Sequence, residues 1–168
     1  MTYYDDIAEG YEELHKEEQK KKIGIIKEVM KNVNWKIKES DFVLDVACGT
    51  GLTTRPWSGK KTGLDPAKKL LEKARQKDKE STYVLGEAEN MPFPDDSFDW
   101  VFSITALQNV HDLGKALKEI KRVGKDHFIL SFLKKSLKKK EIIEKIKNTF
   151  KIIKEVEEEK DLLIFLTR

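Results

Sequence analysis

The sequence predicts an α/β protein: a doubly wound, mostly parallel sheet of about seven strands that ends in an antiparallel β-hairpin. Three observations carry this. From residue 42 onward, short apolar β-branched runs alternate with amphipathic segments at helical spacing, the pattern of right-handed βαβ units. A run of small and hydroxyl residues, "DVACGTGLTT" from Asp45 to Thr54, follows the first apolar run directly. The last two apolar runs, "KIIKEVEEE" and "DLLIFLTR", are separated by Lys160 alone. That leaves no room for a crossover helix, so they must be antiparallel.

The 168 residues have the length of one ordinary domain, expected as N-terminal helices over 1–34 and a core over 40–168. Hydrophobic residues make up 39% and charged residues 38%, which suits a core under a lattice of opposite charges. A net charge of +3 implies no strong field for nucleic acid, and the lysine cluster "KKSLKKK" (Lys134 to Lys140) reads as a solvated helix start or a local basic patch. The single cysteine excludes an internal disulfide, and no apolar run reaches the ~20 residues of a membrane span. The acidic, aromatic start "MTYYDDIAEGY" lacks the layout of a signal peptide. A cytoplasmic protein with no membrane partner is expected.

The elements follow in order. Residues 5–33 show apolar stripes at Ile7, Tyr11 and Leu14 and at Ile23, Ile26, Met30 and Val33; Gly10 and Gly24 each cost a helix about 1 kcal/mol relative to Ala, so two short helices with a pliable junction are expected. Strands are expected at "FVLDVAC" (42–48), "KKTGLD" (60–65), "STYVLG" (81–86), "FDWVFSIT" (98–105) and "DHFILSFL" (126–133). In the helix "PAKKLLEKARQK", Asp65 is placed to cap and Pro66 to take the first position. "HDLGKALKEIKRVG" is a helix with Gly124 as a left-handed C-terminal residue, and "KKKEIIEKIKNTF" is another. Pro56 leaves little more than a turn between the first two strands. One face of the sheet is therefore thinly covered, to be closed by the N-terminal helices, by a second copy of the chain, or by a small partner subunit.

In such a sheet a ligand lies outside the carboxyl ends of the strands where strand order reverses. Gly49 and Gly51, lacking Cβ, let the loop turn sharply and approach an anionic or polar ligand. A phosphate-binding P-loop would need Lys followed by Ser or Thr, which "CGTGLTTRP" lacks. A dinucleotide fingerprint would need glycine where Thr54 stands, and only eleven residues separate Gly51 from Gly63.

"VLDVACGTG", "GLDPAKKLLEKA" and "GEAENMPFPDDSFDWVFS" resemble, in order and spacing, the motifs of class I S-adenosylmethionine-dependent methyltransferases of the small type related to ubiquinone-biosynthesis enzymes. The resemblance spans nearly the whole chain and implies a Rossmann-like seven-stranded sheet. It implies S-adenosyl-L-methionine as cofactor, S-adenosyl-L-homocysteine as product, and transfer of a methyl group by in-line displacement.

It also implies roles. Backbone groups of Ala47, Cys48, Gly49, Thr50 and Gly51 would cradle the amino-acid end and the ribose, with Asp45 at the strand end, where the alternative is a turn cap. Asp65, beside Pro66, would accept from both ribose hydroxyls, a charge-assisted pairing, or simply cap its helix. Glu87 would accept from the adenine amino group while the Ala88 N–H meets a ring nitrogen; the family more often has Asp there. Ser103, or a neighbour at the end of the fourth strand, would border the methyl-transfer site, and Tyr11 is either a lid or a core residue. His111 in "LQNVHD" is the candidate general base, its ordinary pKa near 6.5 suiting proton removal at neutral pH; capping with Asp112 is the alternative. His15 and His127 read as structural, Cys48 as packing, and Trp35, Trp57 and Trp100 as core or loop anchors. No Cys/His cluster has metal-ligand spacing, so no metal is expected.

"SITALQN" stands where enzymes that methylate exocyclic amines often carry Asn-Pro-Pro-Tyr, and "LSFLKKSLKKKE" leaves no room for a helical cap. A short, uncapped site flanked by lysines is therefore expected to take RNA or protein as the acceptor, with a small molecule as the alternative. A non-catalytic regulatory subunit that binds S-adenosylmethionine is a further alternative.

Overall fold

Phe42–Val46 forms the first strand, β1, and four of its five residues are buried. In this computed structural model all residues are described except 1, 2 and 7–9, along with the side chains of 4, 5 and 11. Two helices, α1 (Tyr3–Asp6) and α2 (Tyr11–Asn32), precede β1. After it come β2 (Lys60–Asp65), α3 (Lys68–Lys77), β3 (Thr82–Leu85), β4 (Phe98–Ser103), a 3-10 turn at Leu107–Asn109, α4 (Leu113–Val123), β5 (Gly124–Leu133), α5 (Lys139–Thr149), β6 (Lys151–Glu157) and β7 (Asp161–Thr167).

The strands form one sheet in the order β3-β2-β1-β4-β5-β7-β6. The pairs β1–β2, β2–β3, β1–β4 and β4–β5 are parallel, whereas β7 runs antiparallel to both β5 and β6. The fold is therefore α/β with a mostly parallel seven-stranded sheet and a terminal hairpin, as the sequence predicts. Strand order reverses between β1 and β4, which opens a crevice at their carboxyl ends.

Alternation along the strands sends side chains to two cores. Leu44 and Val46 of β1 join Val101, Phe128, Leu130 and Ile164 under Leu117 and Ile120 of α4 and Ile142 and Ile146 of α5. Val43, Trp100, Phe102, Ile129 and Phe165 face the other way, under Ile23, Ile26, Val29 and Met30 of α2. Fully burying each such α2 side chain contributes about 1.5–3 kcal/mol. Burial of that size holds α2 on the face that the short β1–β2 connection leaves bare. Trp57 fills the rest, stacked on Phe102 with centroids 4.4 Å apart and donating to the Thr53 carbonyl. Trp100 donates to Asp41 and stacks on His127, and Trp35 packs edge-on against both.

Three details differ from expectation. Helix α2 runs unbroken through Gly24, because a Cβ there would meet nothing within 4 Å and the apolar stripe on the opposite side outweighs one glycine. Gly124 is extended, with φ −94° and ψ 150°, and opens β5 instead of ending α4 in a left-handed turn. Glycine is required there for space, since a Cβ would lie 2.4 Å from the Phe128 ring and 2.7 Å from Val101. Ala67, not Asp65, is the N-cap residue of α3, which leaves Pro66 outside the helix.

Candidate functional site

The loop after β1 is wound through left-handed backbone at Ala47, Gly49 and Gly51, with φ of 61°, 55° and 82°. Its amides are satisfied from within: Cys48 N–H donates to the Leu64 carbonyl, Gly51 N–H to the Cys48 carbonyl, and Gly49 N–H to Asp65 Oδ2 at 2.9 Å. The other oxygen of Asp65 accepts from the Ala67 N–H at 2.8 Å. One buried carboxylate thus fixes both the glycine loop and the entry to α3. Gly51 and Gly63 let Tyr83 pack flat against the loop, since a Cβ on either would come within 3 Å of it.

Asp45, wholly buried, accepts from the hydroxyls of Thr53 and Thr54, each at 2.7 Å on Oδ2. Burial pushes its carboxyl up to about 7 against the pull of those hydroxyls, and the nearby charge of Asp65 adds to the rise. Among the described residues its Oδ1 and the Thr50 hydroxyl find no hydrogen-bond partner. Burial also drives the Cys48 thiol well above its ordinary value, helped by the charges of Asp45 and Asp65. Burial of this kind favours the protonated thiol, as for a packing cysteine.

A cavity of about 980 Å³ opens at the carboxyl edge of the sheet. Ala47, Asp65, Pro66, Glu87, Ala88 and His111 line it, together with Ile104, Thr105 and Ala106 after β4 and Leu133 at the end of β5. Asp45, Cys48, Gly49, Thr50, Gly51 and Ser103 stand behind this wall. The Tyr11 side chain lies outside the described residues. His111 sits at the mouth, where its N–H and that of Asp112 both donate to Glu89 Oε1, at 2.7 and 3.1 Å. Asp112 caps α4 by accepting from the Lys115 N–H.

From α2, sequence reasoning offered Tyr11 alone for the site and missed the residues further along the helix. His15, Glu18 and Gln19 face the cavity from this helix, so His15 belongs to the site wall and not to a solvated face. The polar run "HKEEQKKK" hid this, because a helix over a polar cavity and a helix over water carry the same residue types. The helix is anchored to the glycine loop by Glu12, which pairs with Lys77 and, at 2.8 Å, with Arg55, whose Nη1 donates to the Thr50 carbonyl. Burial opposes ionisation of Glu12, but those two cations outweigh it and hold its carboxyl below the usual range. Among the described residues, no group of three or more His, Cys, Asp or Glu is placed to hold a metal ion, and no helix is long and apolar enough to cross a membrane.

With this geometry in hand, comparison defines the class: a family model described as a methyltransferase domain matches residues 44–132. The chain belongs to that methyltransferase-domain family. It is 33% identical over 138 residues to a demethylmenaquinone methyltransferase of Thermotoga maritima, covering 74% of this chain and 56% of that protein. To a malonyl-[acyl-carrier protein] O-methyltransferase of Yersinia pestis it is 43% identical over 93 residues, 54% of this chain and 35% of that one. The matched region thus spans roughly a third to just over half of these curated relatives. A crystal structure of magnesium protoporphyrin IX methyltransferase from Synechocystis PCC 6803 with bound S-adenosylmethionine shares the fold, with a TM-score of 0.73 at 16% identity over 90% of this chain and 79% of that one.

Proposed function

We propose that the protein is an S-adenosylmethionine-dependent methyltransferase acting on a small organic acceptor bound in the same cavity. The carrying observation is the placement of Asp65, Glu87 and Ala88 along one wall at the strand-order reversal, with the β4 end opposite. The residues fit the cofactor. Asp65 holds the Gly49 and Ala67 amides from the cavity wall, and a carboxylate at that strand end, with about four lone-pair sites in all, suits the hydroxyls of a sugar. Glu87 is exposed on the adjacent wall and Ala88 is buried beside it, an edge-on acceptor next to an apolar surface for a purine. Asp45 and the Thr50 hydroxyl sit behind Ala47, ready to polarise the loop that would border the amino-acid end.

The cofactor supplies a methyl group already activated on a sulfonium. The protein's task is then to orient and to exclude water, worth up to roughly 7–11 kcal/mol in favourable cases. Ile104, Leu133 and Leu64 provide the apolar lining, and His111 at the mouth is the group placed to take a proton from an acceptor that must lose one. The cavity's volume is at the upper end of the ~300–1,000 Å³ of small-molecule sites, room for a donor and a compact acceptor. Helix α2 supplies the wall that the short β5–α5 connection does not, which favours a small acceptor over RNA or protein. Of the two relatives, one is named for demethylmenaquinone, a small acceptor, and the other for a malonyl group carried on an acyl-carrier protein.

Incubation with methyl-radiolabelled S-adenosylmethionine and separated metabolite, protein and RNA fractions tests this. Label is expected in the small-metabolite fraction, and transfer confined to RNA or protein would refute the acceptor class.

A further inference from the structure

Thr105 follows β4 with φ of 57°, the left-handed region that a β-branched residue enters only against steric resistance. It lines the cavity with its neighbours Ile104 and Ala106. Its conformation is held by a closed set of bonds. The Lys22 ammonium donates to Thr105 Oγ1 at 2.8 Å, and that hydroxyl donates to Asp161 Oδ2 at 2.7 Å. Ser131 Oγ accepts from the Thr105 N–H and donates to the same Asp161 oxygen, both at 2.7 Å. Lys22 and Asp161 complete the set as an ion pair at 3.1 Å, with side chains 2% and 0% exposed.

Lys22, Asp161 and Ser131 come from α2, β7 and β5 and stand behind the cavity wall, so none of them is placed to touch a ligand. A buried ion pair is a poor source of net stability, because desolvation offsets the attraction, and its best use is to specify one arrangement over others. What it specifies here is the path of the main chain at the end of β4.

We propose that Thr105 is a positioning residue of the methyl-transfer site, its left-handed backbone fixed by Lys22, Asp161 and Ser131 so that residues 104–106 present the wall that faces the bound donor. The inference rests on reading the cavity as the S-adenosylmethionine site. It assigns α2 a second task besides lining the cavity, to set the loop that follows β4.

Calorimetric titration with S-adenosylhomocysteine, with a thermal melt for each protein, tests it. Thr105→Ser keeps the hydroxyl and should bind within twofold of the wild type. Thr105→Gly tolerates the same φ but loses the hydroxyl, and should bind at least tenfold more weakly while melting within a few degrees. Ser131→Ala leaves the Thr105 N–H without its acceptor and removes one donor to Asp161; about fivefold weaker binding is expected, and it decides the matter should the glycine variant not fold. Binding within twofold for both Thr105→Gly and Ser131→Ala overturns the proposal, as does a Thr105→Ser loss equal to that of Thr105→Gly. A wild type that melts cooperatively but binds no S-adenosylhomocysteine overturns the parent reading instead.

Discussion

Asp65 accepts the Gly49 N–H at 2.9 Å, so the end of the second strand holds the loop that follows the first. If the same carboxylate grips the donor's sugar, Asp65→Ala should weaken binding of S-adenosylhomocysteine by about 1.5–3 kcal/mol, the range for a charged hydrogen bond. It should also lower the melting temperature, because the Gly49 and Ala67 amides lose their acceptor. Asp65→Asn keeps an acceptor for only one of those two amides and sets an NH2 against the other, so it should fall between the wild type and Asp65→Ala in both measurements. Calorimetry and melts on both variants check this; unchanged affinity in Asp65→Ala contradicts the sugar-binding role.

Asp45 predicts an unusual pH dependence. Its carboxyl is pushed up to about 7 in the folded protein, above the ~3.9 of an unfolded chain, so the folded state binds the proton more tightly. This contribution is fully present below about pH 4, declines as pH rises through 4 to 7, and is gone above. Its full size is up to about 4 kcal/mol. Urea melts of wild type and Asp45→Asn at pH 5 and pH 8 isolate it from the other carboxyls. The wild type should gain more stability than the variant on acidification; parallel behaviour would place the Asp45 pKa near its ordinary value.

Gly51 combines a φ of 82° with a Cβ position 2.3 Å from the Tyr83 hydroxyl. Gly51→Ala should therefore lose stability twice, about 1–3 kcal/mol from the backbone and a further amount from the displaced ring. Tyr83→Phe removes the clashing oxygen, so the pair should be less destabilised than the sum of the single variants. Additive losses in a double-mutant cycle would mean that Tyr83 moves aside freely.

The Lys22–Asp161 pair makes a fourth prediction. Lys22→Met leaves a buried carboxylate without its cation and should cost about 3–5 kcal/mol in denaturant unfolding. Combining it with Asp161→Asn should recover much of that loss, since neither charge then remains. No recovery in the double variant would show that the network's hydroxyls, and not the pair, carry the stability.

Much of the fold is legible in the sequence, and the reasons are local. Short continuous apolar runs and the missing crossover before Asp161 suffice for the sheet and its hairpin. The motif around Asp45 to Gly51, with Asp65 and Glu87 at later strand ends, places the crevice. What stays hidden depends on neighbours remote in sequence. Lys22 is the third lysine of a charged run, and nothing local shows that it alone turns inward on the stripe that continues to Ile26. For the same reason His15 reads only as structural, and nothing local singles out Gln19. Gly124 reads as a cap because its sequence position suits one, whereas the crowding that requires it comes from Val101 on the neighbouring strand β4 as well as from Phe128 further along β5.

The central claim is that the cavity bounded by Asp65, Glu87 and the β4 end holds the methyl donor. Crystals soaked with S-adenosylhomocysteine test it most directly. The account predicts density for the sugar against the Asp65 carboxylate and for the purine beside Glu87 and Ala88, with the sulfur turned toward residues 104–106. An empty cavity at saturating ligand, or density anywhere else on the protein, would contradict it.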